Sequence, residues 1–232
     1  AVIASPNNTT TYTVTGTNTT TNCINTATST ITVNPLPHIT NTDTTIIICY
    51  DDSIAIYLQS NVAGTTYTWS ATNNANLSIY PHNGNSSSIL IPNWHNSTNV
   101  SQTVIYTVTP SAANCPGPSQ QFTITVNPRP IISLTPAYQS FCSGGTTAPI
   151  NITSNINGTN LVWNGVATNI GNATLSGTGN TIPAQTLYNT SPQADTGFLI
   201  YTVSPAAGGC SGSNVTATIQ VNPKPVVNFA MN

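Results

Sequence analysis

"FTITVNPRP", residues 122–130, alternates apolar and polar side chains and then stops at two prolines set two apart. A period of two puts Phe122, Ile124 and Val126 on one face of a strand and Thr123 and Thr125 on the other. Proline fixes φ and offers no N–H to a ladder, so the strand ends there and the Pro-x-Pro forms a stiff, extended connector. The asparagine before it is held out of the helical region as well. The phrase returns as "STITVNPLP" (29–37) and "ATIQVNPKP" (217–225). One phrase closing three segments of a chain marks a tandem repeat.

Other markers keep the same period. Pro37 to Pro130 is 93 residues and Pro130 to Pro225 is 95. Cys23, Cys115 and Cys210 follow in step, as do Cys49 and Cys142, and Trp69 and Trp163. A Tyr-x-Val precedes the later cysteine each time, as Tyr12/Val14, Tyr106/Val108 and Tyr201/Val203. The chain therefore divides into the last strands of a partial unit (1–37), two full units (38–130 and 131–225) and a tail (226–232) that is a linker or the start of another module. The opening "AVIASPNN" has neither an initiator methionine nor a charged-then-apolar leader, which reads as a processed or excised piece of something longer.

Within a unit the strands are short. Val104, Tyr106 and Val108 share a face, and "SIAIYL" (53–58), "TYTWSA" around Trp69 and "SSILIP" (87–92) supply more, separated by Gly, Asn and Pro clusters. No window carries the apolar stripe of a surface helix. About seven short strands in some 95 residues predict an all-β, immunoglobulin-like sandwich for each unit.

Composition narrows the function. Charged residues make up 3% of the 232, against about 25% in ordinary globular domains, and Asn, Thr and Ser supply the solvation. A formal net charge of −2 leaves no basic patch for nucleic acid or an anionic membrane. No apolar run approaches the length needed to span a bilayer, so no membrane insertion is expected. With 38% hydrophobic residues in β-type alternation, packed strands are favoured over disordered coil.

Each full unit holds two cysteines around a tryptophan, Cys49…Trp69…Cys115 and Cys142…Trp163…Cys210. The spacing suits no metal site and points to disulfides in an oxidising compartment. Pairing within a unit is the default. However, the first cysteine falls near one end of such a sandwich and the second near the other, about a strand length apart, whereas a disulfide needs Cα atoms within about 7 Å. A bridge across the seam, Cys49 to Cys210, is the alternative.

"GTTYTW" (64–69), "YTVTP" (106–110), "NCPGPSQQFTITVNPRP" (114–130) and "FCSGGTT" (141–147) resemble the PKD-like, immunoglobulin-like repeats of giant cell-surface proteins of the Bacteroidota, gliding adhesins and other type IX secretion cargo among them. The resemblance implies an extracellular stalk or adhesive filament whose partners are neighbouring repeats or identical subunits. It also implies O-glycosylation at Asp-Ser/Thr motifs, making Thr44 and Ser53 candidate sugar sites. Asn-x-Ser/Thr sequons, as at Asn96 and Asn151, arise freely in this composition and carry little weight.

No catalytic set, metal site or cofactor emerges. His38, His82, His95 and the four aspartates do not recur between units and read as loop residues. Asp51-Asp52 lacks calcium-loop spacing and reads as a turn. Trp69 and Trp163 fit a core better than a sugar platform. The rivals to a stalk are a carbohydrate-binding accessory module and a donor-strand filament subunit. The first needs exposed aromatics from Tyr57, Tyr80, Trp94, Tyr138 and Tyr188, and Trp94 is the best candidate for contacting surface polysaccharide. The second arises because two strands of a sandwich cannot bury their own apolar face.

Overall fold

The computed structural model describes residues 3–78, 80–192 and 195–225; the 226–232 tail named above lies outside them. The chain is all-β, with two β-sandwich modules in tandem following a two-stranded hairpin. In the first module the larger sheet runs, in spatial order, Thr45–Cys49, Gln120–Asn127, Gln102–Ala112, Thr66–Ala71 and Asn83–Gly84. The first pair is parallel and the others antiparallel. The facing layer is built on Ile54–Tyr57 paired with Ser88–Ile91.

Alternation decides what goes inside. Val104, Tyr106 and Val108 are fully buried, as are Phe122, Ile124 and Val126 on the neighbouring strand, while the threonines between them face outward. Burying such side chains contributes roughly 1.5–3 kcal/mol each. Trp69 stands opposite Val108 and meets the Tyr106 ring edge-on at 5.8 Å. A glycine, Gly84, lies over its indole, where any Cβ would overlap the ring.

The second module repeats the plan. Its larger sheet is Tyr138–Cys142, Val215–Asn222, Gly197–Ala207, Asn160–Thr168 and Ser176–Thr178, and Ile132–Thr135, Ile150–Ser154 and Thr181–Ile182 form the facing layer. Trp163 meets Tyr201 edge-on at 5.6 Å, and Gly177 takes the place of Gly84 against the indole. Each module encloses its own apolar cluster.

The leading hairpin, Thr10–Thr17 with Ile24–Ile31, carries the same register as the last two long strands of each module. Tyr12 pairs with Ser29 where Tyr106 pairs with Phe122 and Tyr201 with Ala217. Its would-be core face is open, and Val14 is 68% exposed.

Candidate functional site: the seam between modules

The feature that distinguishes this chain from two independent sandwiches is the junction at Asn127–Pro130. Thr45–Cys49 runs parallel to Gln120–Asn127, so both strands deliver their last residues, Cys49 and Asn127, to the seam. The second module presents a hairpin tip, Gly208-Gly209-Cys210, at the end of the Gly197–Ala207 strand. Both glycines have positive φ, 57° and 81°, which a residue without Cβ adopts at little cost.

Asn127 spans the gap. Its Nδ2 donates to the Gly208 carbonyl at 2.7 Å, and its Oδ1 accepts from the Ser101 hydroxyl at 2.7 Å. Beside it Cys49 and Cys210 are joined by a disulfide with Cα atoms 5.6 Å apart. Asn155 accepts from the Ile131 N–H at 2.7 Å and donates across the seam to Asn99 Oδ1 at 2.7 Å. Gly212 lies against the linker so closely that a Cβ would overlap the Pro130 carbonyl oxygen.

One of the two cations in the chain also sits here. The Arg129 guanidinium lies 3.7 Å from Asp51, which is 3.3 Å from His95 Nδ1. These groups are solvated, so each pair contributes under about 1 kcal/mol. A cleft of about 370 Å³ follows the junction, lined in part by Tyr50, Asn96, Arg129, Ile131 and Asn155.

The disulfide corrects the default pairing. Neither Cys49–Cys115 nor Cys142–Cys210 forms; Cys23, Cys115 and Cys142 are not bridged to one another within this chain. The reason is strand direction. Cys115 follows the Gln102–Ala112 strand, which is antiparallel to Gln120–Asn127, so it lies at the end of the module opposite Cys49. Roughly 20 Å of strand separates them, well beyond disulfide reach.

Trp94 is a second correction. It is fully buried and stacks on Tyr80 at 5.4 Å, so it is a core residue and not a surface contact. The Asp51 N–H donates to the Trp94 carbonyl at 2.7 Å and the Trp94 N–H to the Asp52 carbonyl at 3.0 Å, hooking this segment under the module end. Tyr80 is buried too, whereas Tyr57, Tyr138 and Tyr188 are exposed. Asp52 caps a turn by accepting the Cys49 N–H at 2.8 Å. Thr44 is half-buried on the edge strand's approach; Ser53 is exposed, its hydroxyl accepting the Asn93 N–H at 3.2 Å.

The sequon at Asn96 is a structural device rather than a surface site. Asn96 is 5% exposed; its Nδ2 donates to the carbonyls of Val100 (2.8 Å) and Val126 (2.9 Å), and its Oδ1 accepts from the Thr98 hydroxyl at 2.8 Å. Asn189, 93 residues on, ties Asp195 (2.7 Å) and Val221 (2.8 Å) in the same way, with the Ser191 N–H on its Oδ1. The recurrence of Asn-x-Ser/Thr at the repeat period was the available signal.

Among the described residues no group of three His, Cys, Asp or Glu is placed to hold a metal, and no helix is long and apolar enough to cross a membrane. Residues 46–130 and 135–225 match the family model described as the PKD-like domain. No curated protein matches the sequence. Among solved structures the chain resembles the I67–I69 I-band fragment of titin, at 11% identity and a TM-score of 0.42 over 94% of this chain and 75% of that one. It also resembles extracellular cadherin domains 1–5 of protocadherin gamma B2, at 12% identity and a TM-score of 0.40 over 93% and 45%. A third likeness is to immunoglobulin domains 1–5 of Sidekick-1, at 15% identity and a TM-score of 0.35 over 93% and 45%. Matched twice by the one model, over both modules, the chain belongs to the PKD-like domain family.

Proposed function

We propose that this chain is a structural, non-enzymatic segment of an extracellular stalk or adhesive filament, in which PKD-like modules are strung end to end and clamped at each seam. The observation that carries this reading is the Cys49–Cys210 bridge with the Asn127–Gly208 hydrogen bond beside it. A disulfide joining two sandwiches that each have their own core adds nothing to either core; what it fixes is their mutual orientation, which matters in a spacer. Disulfides also persist in oxidising, extracellular surroundings. The resemblance to Bacteroidota surface repeats agrees with this, and sugars at Thr44 and Ser53 would supply solubility to a surface with 3% charged residues.

Cryo-electron microscopy of the native protein tests the proposal. Modules continuing at one repeat per unit, clamped as here, are the expected result; a free-standing pair of modules would overturn it. A donor-strand subunit is the second reading, favoured by the open face of the leading hairpin, where Tyr12, Val14 and Ile31 are exposed. Strands of a second chain lying on that face in the same maps would establish it. The carbohydrate-binding reading loses its best contact with the burial of Trp94.

A further inference from the structure

We propose that Cys142, Cys115 and Cys23 are half-sites of the same bridge at neighbouring seams. The rule is that the edge-strand cysteine of one module pairs with the hairpin-tip cysteine of the next. Cys142 would take the tip cysteine of the module that follows, Cys115 the edge-strand cysteine of the unit whose last strands are the leading hairpin, and Cys23 that of the unit before it. The inference rests on the stalk reading in one respect, its need for a neighbouring module.

The surroundings of Cys142 and Cys115 are those of the bridged pair. Cys142 stands in register with Asn222, as Cys49 does with Asn127. The next N–H, from Ser143, donates to the Asn222 carbonyl at 2.8 Å, as Tyr50 does to Asn127 at 3.1 Å, and the Cys142 carbonyl accepts from Gly145 at 3.0 Å, as that of Cys49 does from Asp52. Cys142 is exposed. On the receiving side, Cys115 pairs with Ala112 as Cys210 does with Ala207, following a turn in which Ala113 and Asn114 have φ of 48° and 62°.

The seam beside Cys115 is already assembled. Gly117 lies against the Pro37 carbonyl as Gly212 lies against Pro130, and the His38 N–H donates to Asn61 Oδ1 at 2.6 Å, matching Ile131 and Asn155. The linker from the leading hairpin thus enters the first module along the path by which that module enters the second. An edge strand completing the leading unit would bring its last residue to Cys115, as Thr45–Cys49 brings Cys49 to Cys210.

Closing such a bridge takes two electrons and two protons from two thiols, and a small-molecule disulfide such as oxidised glutathione can accept them. One cysteine thiolate attacks it and releases one glutathione; the facing cysteine then attacks the mixed disulfide and releases the second.

The test is non-reducing peptide mapping of the native, full-length protein, with free thiols alkylated under denaturing conditions before digestion with chymotrypsin and Asp-N. Trypsin is unsuitable because Arg129 and Lys224 both precede proline. The expected result is Cys142 linked to a tip cysteine of another module, and Cys115 linked to an edge-strand cysteine. Alkylated Cys115 and Cys142 alongside an intact Cys49–Cys210 bridge would overturn the rule, as would linkage of either to a second copy of the chain. Free thiols in a protein whose maps show continuous modules would sink this inference and leave the stalk standing; maps without neighbouring modules would sink both. As a second measurement, the 232-residue chain in a glutathione redox buffer is expected to close Cys49–Cys210 and to carry glutathione on Cys142 and Cys115. An internal Cys115–Cys142 bond there would equally overturn the proposal.

Discussion

Gly212 shows how much a single hydrogen can decide. Any side chain there would drive the Pro130 carbonyl off the second module, so Gly212→Ala is expected to cost about 1–3 kcal/mol as overpacking, read as a lower urea midpoint at unchanged slope. Asn96 makes the opposite case, a residue whose polar atoms are all used. Asn96→Ala removes the buried bond to the Val126 carbonyl, leaving the Val100 carbonyl only the Thr98 hydroxyl, and should destabilise the first module by about 1–3 kcal/mol, while glycoproteomics of the native protein should find no N-glycan on Asn96. Tyr106 supplies a pH dependence. Burial, assisted by nearby Tyr80, pushes its hydroxyl well above the ordinary tyrosine range; burial raises Tyr201 as well, partly offset by its hydrogen bond with Gln185. The unfolded chain releases these protons at about pH 10 and the folded chain holds them. The stability they contribute is therefore complete below about pH 10 and lost as pH rises toward their folded values. Urea midpoints should be flat from pH 7 to 9 and fall above 10, and Tyr106→Phe should flatten that fall while losing the bond to the Pro81 carbonyl.

At the scale of strands, the local pattern was enough wherever one face met a core. The alternation through Val104, Tyr106 and Val108, and through Phe122, Ile124 and Val126, puts those side chains inside as the period of two requires. Trp94 reads as a surface candidate because no tryptophan stands at its place in the other unit, yet Leu187 fills that place: both are fully buried, and the Gly144 and Leu187 N–H groups repeat the hook by donating to the Leu187 and Gly145 carbonyls, contacts between segments some 40 residues apart. The seam asparagine Asn127 was legible as the residue before a proline, but its bond to Gly208 was not, since no local pattern names a partner 81 residues away. Asn127→Ala should loosen the junction without unfolding either module. The expected result is unchanged backbone amide spectra within both cores and faster hydrogen exchange confined to residues around 127–131 and 207–212.

For the whole molecule, the prediction concerns orientation. Cys210→Ser, or reduction of the bridge, should leave two folded modules with nearly unchanged melting, because each apolar cluster lies within one module. What should change is the small-angle scattering profile, with a broader spread of inter-module angles; an identical profile would mean that the Pro-x-Pro linker and the Asn127 and Asn155 hydrogen bonds alone fix the seam. The sequence by itself determined the repeat, the strand faces and the place where each module stops, because alternation, prolines and a shared period are written along the chain. Only the tertiary structure decided which cysteines meet. Pairing follows from the direction in which Thr45–Cys49 and Gln120–Asn127 run together, and that parallel contact, between segments more than 70 residues apart, sends Cys49 to the end of its module that faces Cys210.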